Sequence, residues 1–388
     1  MNWNAFLKNG LSLRHKALMW RERNIITKYD LRTISMRQKQ YLNFSSNDYL
    51  GLSMNPQIIK AWKKAVDKYG ISACSSSHII GYSHAHAQLE HELADWLGFQ
   101  RALLFTSGYA ANQCVIFTLM NKNDYIIGDK LNHASLQEAA MLSPAYFKRF
   151  LHNNYEHLNL LLSNKLKRIK TLVITEGVFS MDGDTASLSN IRRICNNHNA
   201  YLFVDDAHGI GIRGDEGKGS CYLYNIQPEL LLITFGKAFG LSGAALLCNN
   251  SIAEYFLQYG KHLIYSTFIS SAQASALSEA IIQIKQADTL RINLNNNIKY
   301  FSELTKYYNL PVTYSTTAIQ PLIVGDNQRC LYLSKFLASR GLLVQAIRPP
   351  TVPVGSARLR ISLSANHLQS DITKLVETLH EFFKQKIN

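Results

Sequence analysis

From Asn55 onward the apolar and polar positions take on a helical period. Asn55 can cap, Pro56 suits a first helical position, Ile59, Trp62 and Val66 recur on one face, and Gly70 ends the run. A second helix is predicted over about residues 85–97, with Leu89, Leu93 and Trp96 inward and Gly98 as its stop. Short apolar runs at 101–106, 125–128, 171–175, 201–204, 230–234 and 244–248 have the length of buried strands, and helical stretches at 109–120 and 188–197 lie between them. This alternation predicts an α/β fold whose mostly parallel sheet is covered on both faces. After helices at 271–287 and 290–308 comes a smaller α+β unit: strand 319–324, helix 328–339, strands 342–347 and 358–363, and a last helix from about Ser370. The first forty-odd residues are polar and basic and predict an arm that packs on something else. The expected division is therefore an arm over 1–45, a large α/β domain over 46–285 and a small C-terminal α+β domain over 286–388, packed together because no Gly/Ser linker separates them.

Composition narrows the class. With 47% hydrophobic and 18% charged residues, the 388-residue chain can bury a large core and is not a disordered protein. A formal charge of +14 admits nucleic acid, an anionic membrane surface or an acidic partner. The basic residues are scattered, densest at Trp62-Lys63-Lys64 and Lys165-Leu166-Lys167-Arg168, without a like-charge tail or zinc-finger spacing, so nucleic acid is not expected. Six cysteines stand singly with no CxxC pair, and no signal-like stretch opens the chain, which predicts reduced thiols and a cytoplasmic protein. No run approaches the ~18 apolar residues of a membrane span.

Three fragments carry candidate chemistry. Leu202-Phe203-Val204-Asp205-Asp206-Ala207-His208-Gly209 is a buried strand ending in two acids and a histidine, at the edge of a parallel sheet where ligands sit. Alternation sends the two acids to opposite faces, so at most one of them points at a ligand and the other caps or pairs. The next strand runs into Phe235-Gly236-Lys237-Ala238-Phe239-Gly240, where a lysine in an apolar, glycine-bordered turn can be kept neutral and react with an aldehyde. Leu103-Leu104-Phe105-Thr106-Ser107-Gly108-Tyr109 reads as strand, glycine turn and helix start, which is either an ordinary connection or a phosphate cradle. Amine, carboxylate and helix end together make the parts list for pyridoxal phosphate. Gly209-Ile210-Gly211-Ile212-Arg213-Gly214 fits GxGxxG, but Asp215-Glu216-Gly217 follows, so it opens a loop and not a dinucleotide-binding helix. His84, His86 and His91 cluster at a helix start without a further ligand pattern and read as solvated surface histidines, so no metal is expected.

These motifs resemble the α-oxoamine synthases, pyridoxal-phosphate enzymes of fold type I. The resemblance runs over essentially the whole chain: the segment from Tyr41 to Leu52, Thr175-Glu176-Gly177-Val178-Phe179-Ser180-Met181-Asp182-Gly183-Asp184, Asp205 to Gly209, and Thr234-Phe235-Gly236-Lys237. Ala346-Ile347-Arg348-Pro349-Pro350-Thr351-Val352-Pro353, followed by Arg358-Leu359-Arg360, favours the biotin-pathway member over the glycine-using and serine-using ones. The resemblance implies that Lys237 binds the cofactor covalently and then serves as acid and base at the substrate Cα. It also implies that Asp205 binds the pyridinium nitrogen, that Ser180 and His208 lie near the ring hydroxyl, and that His133 stacks on the ring. Gly108, Tyr109 and Thr234 would line the cofactor and its phosphate. Substrate contacts would come from Arg21, Asn47, Thr351 and Arg360, the last taking the amino-acid carboxylate. The implied reaction condenses L-alanine with a pimeloyl thioester of coenzyme A or acyl carrier protein, in a homodimer. Its alternatives are another member such as a glycine C-acyltransferase, or a non-catalytic subunit that keeps the fold. The chain departs from the family at Gly70-Ile71-Ser72-Ala73-Cys74-Ser75-Ser76-Ser77-His78, where serines replace glycines, so that any positive-φ conformation there is strained or the loop has shifted.

Overall fold

The computed structural model describes residues 2–164 and 169–384, so the basic run at 165–168 lies outside the described residues. The chain divides into two compact units, Met1–Tyr49 with Met181–Gly183 and Ile292–Asn388, and Leu50–Ser180 with Asp184–Arg291.

In the first unit, Asn2 caps a helix over Trp3–Lys16, its Oδ1 accepting from the Ala5 N–H at 2.9 Å. None of the helix residues is buried. Strands β1 (Ile26–Tyr29), β2 (Thr33–Met36) and β3 (Lys39–Asn43) follow as an antiparallel meander that buries Ile34, Met36 and Tyr41. The segment expected as an arm thus contains ordered elements, in the same unit as the C-terminal residues. Its second turn is built on Arg37 and Gln38 at φ 51° and 61°, the left-handed pair of a type I′ hairpin. That turn is normally announced by Asn-Gly or Asp-Gly, and Arg-Gln carries no such signal.

The second unit opens with the helix Pro56–Tyr69, capped by Asn55 with Pro56 in its first turn. It buries Ile58 and Ala65 against the helix Ser271–Lys285, so the inward stripe starts one residue earlier than the predicted Ile59 face. Ile59 points outward. The helix His84–Leu97 buries Leu89, Leu93 and Trp96 as predicted and ends at Gly98 in the left-handed conformation.

Seven strands then form the main sheet: β4 (Arg101–Phe105), β5 (Tyr125–Asp129), β6 (Tyr146–Phe150), β7 (Thr171–Glu176), β8 (Tyr201–Asp205), β9 (Leu230–Thr234) and β10 (Ala244–Cys248). Their order is β4-β10-β9-β8-β7-β5-β6, with β10 antiparallel to both neighbours and the pairs from β9 to β6 parallel. Side chains alternate between two cores. Leu104, Ile127, Val173, Leu202, Val204 and Leu231 belong to one, and Leu103, Ile126, Leu172, Ile174, Phe203 and Leu232 to the other. Strand β6 was not predicted, because Tyr146, Lys148 and Arg149 are exposed on the sheet edge and leave it no apolar run. The GxGxxG segment does form turns and not a helix.

The remainder of the first unit contains β11 (Ile319–Gly325), a helix over Asn327–Ser339, β12 (Leu342–Leu343), β13 (Gln345–Ile347), β14 (Ala357–Ser362) and a closing helix over Gln369–Lys384. The single strand expected at 342–347 is two. β12 pairs with β3, and after Val344 the chain changes sheet so that β13 pairs with β14.

Candidate active site

The carboxyl ends of β8, β9, β7 and β5 and the loop after β4 bring most of the expected residues together. Asp205 is the last residue of β8 and is buried. Its Oδ2 accepts from Asn112 Nδ2 at 2.9 Å and its Oδ1 from the Ala207 N–H at 3.0 Å. Asn112 lies on the helix Gly108–Leu119 and also donates to Ser135 Oγ at 2.9 Å, so a neutral amide fixes the carboxylate without neutralising it. Asp206 is turned the other way. Its Oδ2 accepts the Ser220 N–H at 2.6 Å, and burial pushes its carboxyl up to about 7. Of the two acids that the sequence left open, Asp205 is the one tied to the helix after β4.

His133 caps the helix Ala134–Leu142, with its Nδ1 2.8 Å from Ser135 Oγ. Its pKa lies below the usual value because desolvation outweighs the opposing pull of Asp205, with Lys237 acting in the same downward sense. Asp205, His133 and Lys237 therefore share one electrostatic neighbourhood. Half-buried Lys237 follows β9, and its Nζ lies 3.5 Å from Thr234 Oγ1. Gly108 opens its helix against the same threonine, where an added Cβ would stand 2.6 Å from Thr234 Cγ2. Glycine thus lets the helix start approach the end of β9, and Ser107 caps the turn by accepting the Ala110 N–H at 3.1 Å. The Tyr109 ring meets His133 edge-on at 6.5 Å, and its hydroxyl donates to Glu138. Ser180 is half-buried between the bridged residues Val178 and Thr185, and His208 is buried in the turn after β8.

Glu176 was missed as a site residue, although it sits at a strand end like Asp205 and stands beside it in register. It is buried, and its main contact is the His133 N–H, which donates to Glu176 Oε1. Burial and the neighbouring Asp205 hold its carboxyl well above the usual range. The strand-end argument that singled out Asp205 would have found it.

The remaining expected residues belong to the first unit. Buried Arg360 donates through Nη1 to Asn47 Oδ1 at 3.1 Å and Ser362 Oγ at 2.8 Å, and through Nη2 to the Tyr49 hydroxyl at 3.4 Å. Arg21 Nη2 donates to Thr351 Oγ1 at 2.9 Å beside a cavity of about 210 Å³ that Arg348 also lines. Arg348 donates to the carbonyls of Leu18 at 2.7 Å and Trp20 at 3.1 Å, and burial together with Arg21 lowers its pKa.

One expectation is corrected here, and the serine-rich loop is specified further. His86 is fully buried, not solvated: its Nδ1 accepts the Ser83 N–H at 3.0 Å to cap the helix, and its Nε2 lies 2.8 Å from the Ile269 carbonyl. In the serine-rich loop the left-handed position falls on Cys74 at φ 62° and on none of the serines, with Ser72 Oγ accepting the Cys74 N–H at 3.0 Å. Among the described residues no cluster of His, Cys, Asp and Glu could hold a metal.

The donor set fits pyridoxal phosphate. A buried carboxylate suits a protonated ring nitrogen, a lysine amine suits an aldehyde, and a helix start with glycine at its first position suits a phosphate. The aminotransferase class I and II family model matches residues 39–379. The 8-amino-7-oxononanoate synthase of Yersinia pseudotuberculosis is 52% identical over 98% of this chain and 99% of its own length, and that of Salmonella paratyphi B is 50% identical over the same shares. The chain belongs to the 8-amino-7-oxononanoate synthase family. Among solved structures, a serine palmitoyltransferase from S. paucimobilis with bound PLP superposes with a TM-score of 0.93 at 26% identity over 98% of each chain. An 8-amino-7-oxononanoate synthase from Francisella tularensis gives 0.78 at 28% identity over 89% of this chain and 98% of its own. Both solved structures share the fold of this chain at similar identity, and it is the curated synthases at 50–52% that place the chain in its family.

Proposed function

We propose that the chain condenses L-alanine with a pimeloyl thioester to give 8-amino-7-oxononanoate, CO2 and the free thiol carrier, in biotin biosynthesis. The observation that carries this reading is the grouping of Asp205, His133 and Lys237 at the sheet's carboxyl edge, in a chain about half identical to the synthases over nearly its full length. Pyridoxal phosphate is the cofactor, and when bound it supplies an electron sink for a carbanion at the alanine Cα.

Every other part falls to the chain's own side chains. Asp205 would hold the proton on the ring nitrogen, with Asn112 keeping that carboxylate aimed. Lys237 would hold the cofactor through its aldehyde and, with its amine freed when alanine binds, would serve as the base that takes the proton from the alanine Cα. His133 would cover the ring face, Ser180 and His208 would serve its hydroxyl, and Gly108, Tyr109 and Thr234 would hold the phosphate end. Arg360, kept in place by Asn47 and Ser362, binds the alanine carboxylate until it leaves as CO2. Arg21 and Thr351, beside Arg348, take the distal carboxylate of the pimeloyl chain, in a cavity whose two guanidinium groups outnumber the one carboxylate, Glu22, in its lining. That end distinguishes a dicarboxylic acyl chain from a plain fatty one. We place the working form as a homodimer in the cytoplasm. The free state of all six cysteines and the lack, among the described residues, of any helix long and apolar enough to cross a membrane are compatible with this.

The test is to replace Lys237 by Ala. Covalent cofactor attachment should vanish and turnover should fall by about a thousandfold or more. A Lys237→Ala protein that still traps the cofactor on reduction would remove the assignment.

A further inference from the structure

The hairpin that contains Ser180 and the loop that leads to His133 are separate stretches of chain, and one histidine outside both joins them. His152 follows β6. Its Nδ1 lies 2.8 Å from Asp129 Oδ1 at the end of β5, and its Nε2 lies 2.7 Å from Asp184 Oδ2. Both ring nitrogens face carboxylates, so the ring is an imidazolium that donates twice. Its neighbour repeats the link: the Asn153 N–H donates to Asp129 Oδ2 at 3.0 Å, and Asn153 Nδ2 donates to Asp184 Oδ2 at 2.7 Å and to the Thr185 carbonyl at 3.1 Å. The ring also stands edge-on to Phe179 at 4.5 Å, next to Ser180. On the other side, Asp129 Oδ1 accepts the Leu131 N–H at 2.8 Å, two residues before His133.

We propose that His152 is a positioning residue of the cofactor site, an imidazolium clamp that sets Ser180 and His133 relative to each other through Asp184 and Asp129. The proposal rests on the reading that Ser180 and His133 face the cofactor. The clamp spans two acids from different segments, each of which also orders its own turn. Asp129 holds the start of the 131–133 loop, and the Asp184 carbonyl accepts the Phe179 N–H at 2.9 Å. Removing the imidazolium leaves Asp129 buried and short of one charged donor.

The experiment uses the full chain with His152→Gln, and with Asp184→Asn as the variant that decides if the first does not fold. Cofactor affinity is measured by equilibrium dialysis with pyridoxal phosphate, together with the visible absorption band of the bound cofactor, the KM for alanine and the melting temperature of the cofactor-free protein. Phe179→Leu is the control, since it loosens packing against the ring but leaves both hydrogen bonds. The clamp predicts a cofactor Kd raised roughly tenfold, the order carried by one charge-assisted hydrogen bond, and a shifted band, with less than about a threefold change in the alanine KM. It also predicts a Phe179→Leu protein whose Kd stays near that of the unaltered chain. A decisive variant with unchanged Kd and band overturns the clamp, and so does a control that weakens cofactor binding as much for the same loss of melting temperature. Failure of the unaltered chain to bind the cofactor would instead sink the proposed function.

Discussion

Asp205 and Asp206 are adjacent and chemically identical, yet one lies in the proposed site, held by Asn112, and the other faces away to the Ser220 N–H. The strand's period of two separates them, and that much was legible in the sequence. Which of them faces the helix after β4 was not, because it depends on the register of β8 against its neighbours. The raised carboxyl of Asp206 has a consequence for stability. Its folded pKa of about 7 exceeds the value of 3.8 for a free side chain, so the unfolded chain releases this proton first as pH rises. The folded state therefore loses stability between about pH 4 and pH 7, by an amount on the order of a few kcal/mol. Urea denaturation across that range should show Asp206→Asn gaining on the unaltered chain as pH rises, with no further gain above pH 8. At Gly108 the close approach of Thr234 Cγ2 predicts that Gly108→Ala weakens cofactor binding about tenfold or more. Adding Thr234→Ser removes that methyl, keeps the hydroxyl near Lys237, and should restore most of the loss in a double-mutant cycle.

Elements were read from the sequence where burial is symmetrical and missed where it is not. The central strands β7, β8 and β9 are buried throughout and appear as continuous apolar runs. The edge strand β6 and the hairpins of β1 to β3 lack that signature, since part of each faces solvent and the turn at Arg37-Gln38 uses no glycine or asparagine. The site was legible where it lies at strand ends and illegible where it depends on pairing between segments, as with His152 and Asp184. That pair makes a prediction of the same sign as the one for Asp206, in a higher pH window. The flanking acids raise the His152 pKa to about 10, so its contribution to stability is complete below about pH 6.5 and fades as pH climbs through 10. Thermal melting between pH 7 and pH 10 should therefore fall more steeply for the unaltered chain than for His152→Gln.

In the proposed reaction the net charge of +14 suits a donor whose carrier is anionic, whether coenzyme A or an acyl carrier protein, and association with such a donor should weaken as salt rises. The helix Trp3–Lys16 exposes Trp3, Phe6, Leu7, Leu11 and Leu13, which supports the homodimer reading, since water is a poor neighbour for so many apolar side chains. Light scattering should give about twice the 43.9 kDa of one chain, and deleting the first 16 residues should lower that mass. The most direct measurement supplies the cofactor-loaded protein with pimeloyl thioester and, in turn, L-alanine, glycine and L-serine, and follows thiol release and CO2 together. Equal amounts of both products with L-alanine, well above the rates with the other two amino acids, are the expected result. Thiol release that L-alanine does not accelerate, or a preference for glycine or serine, would contradict the account.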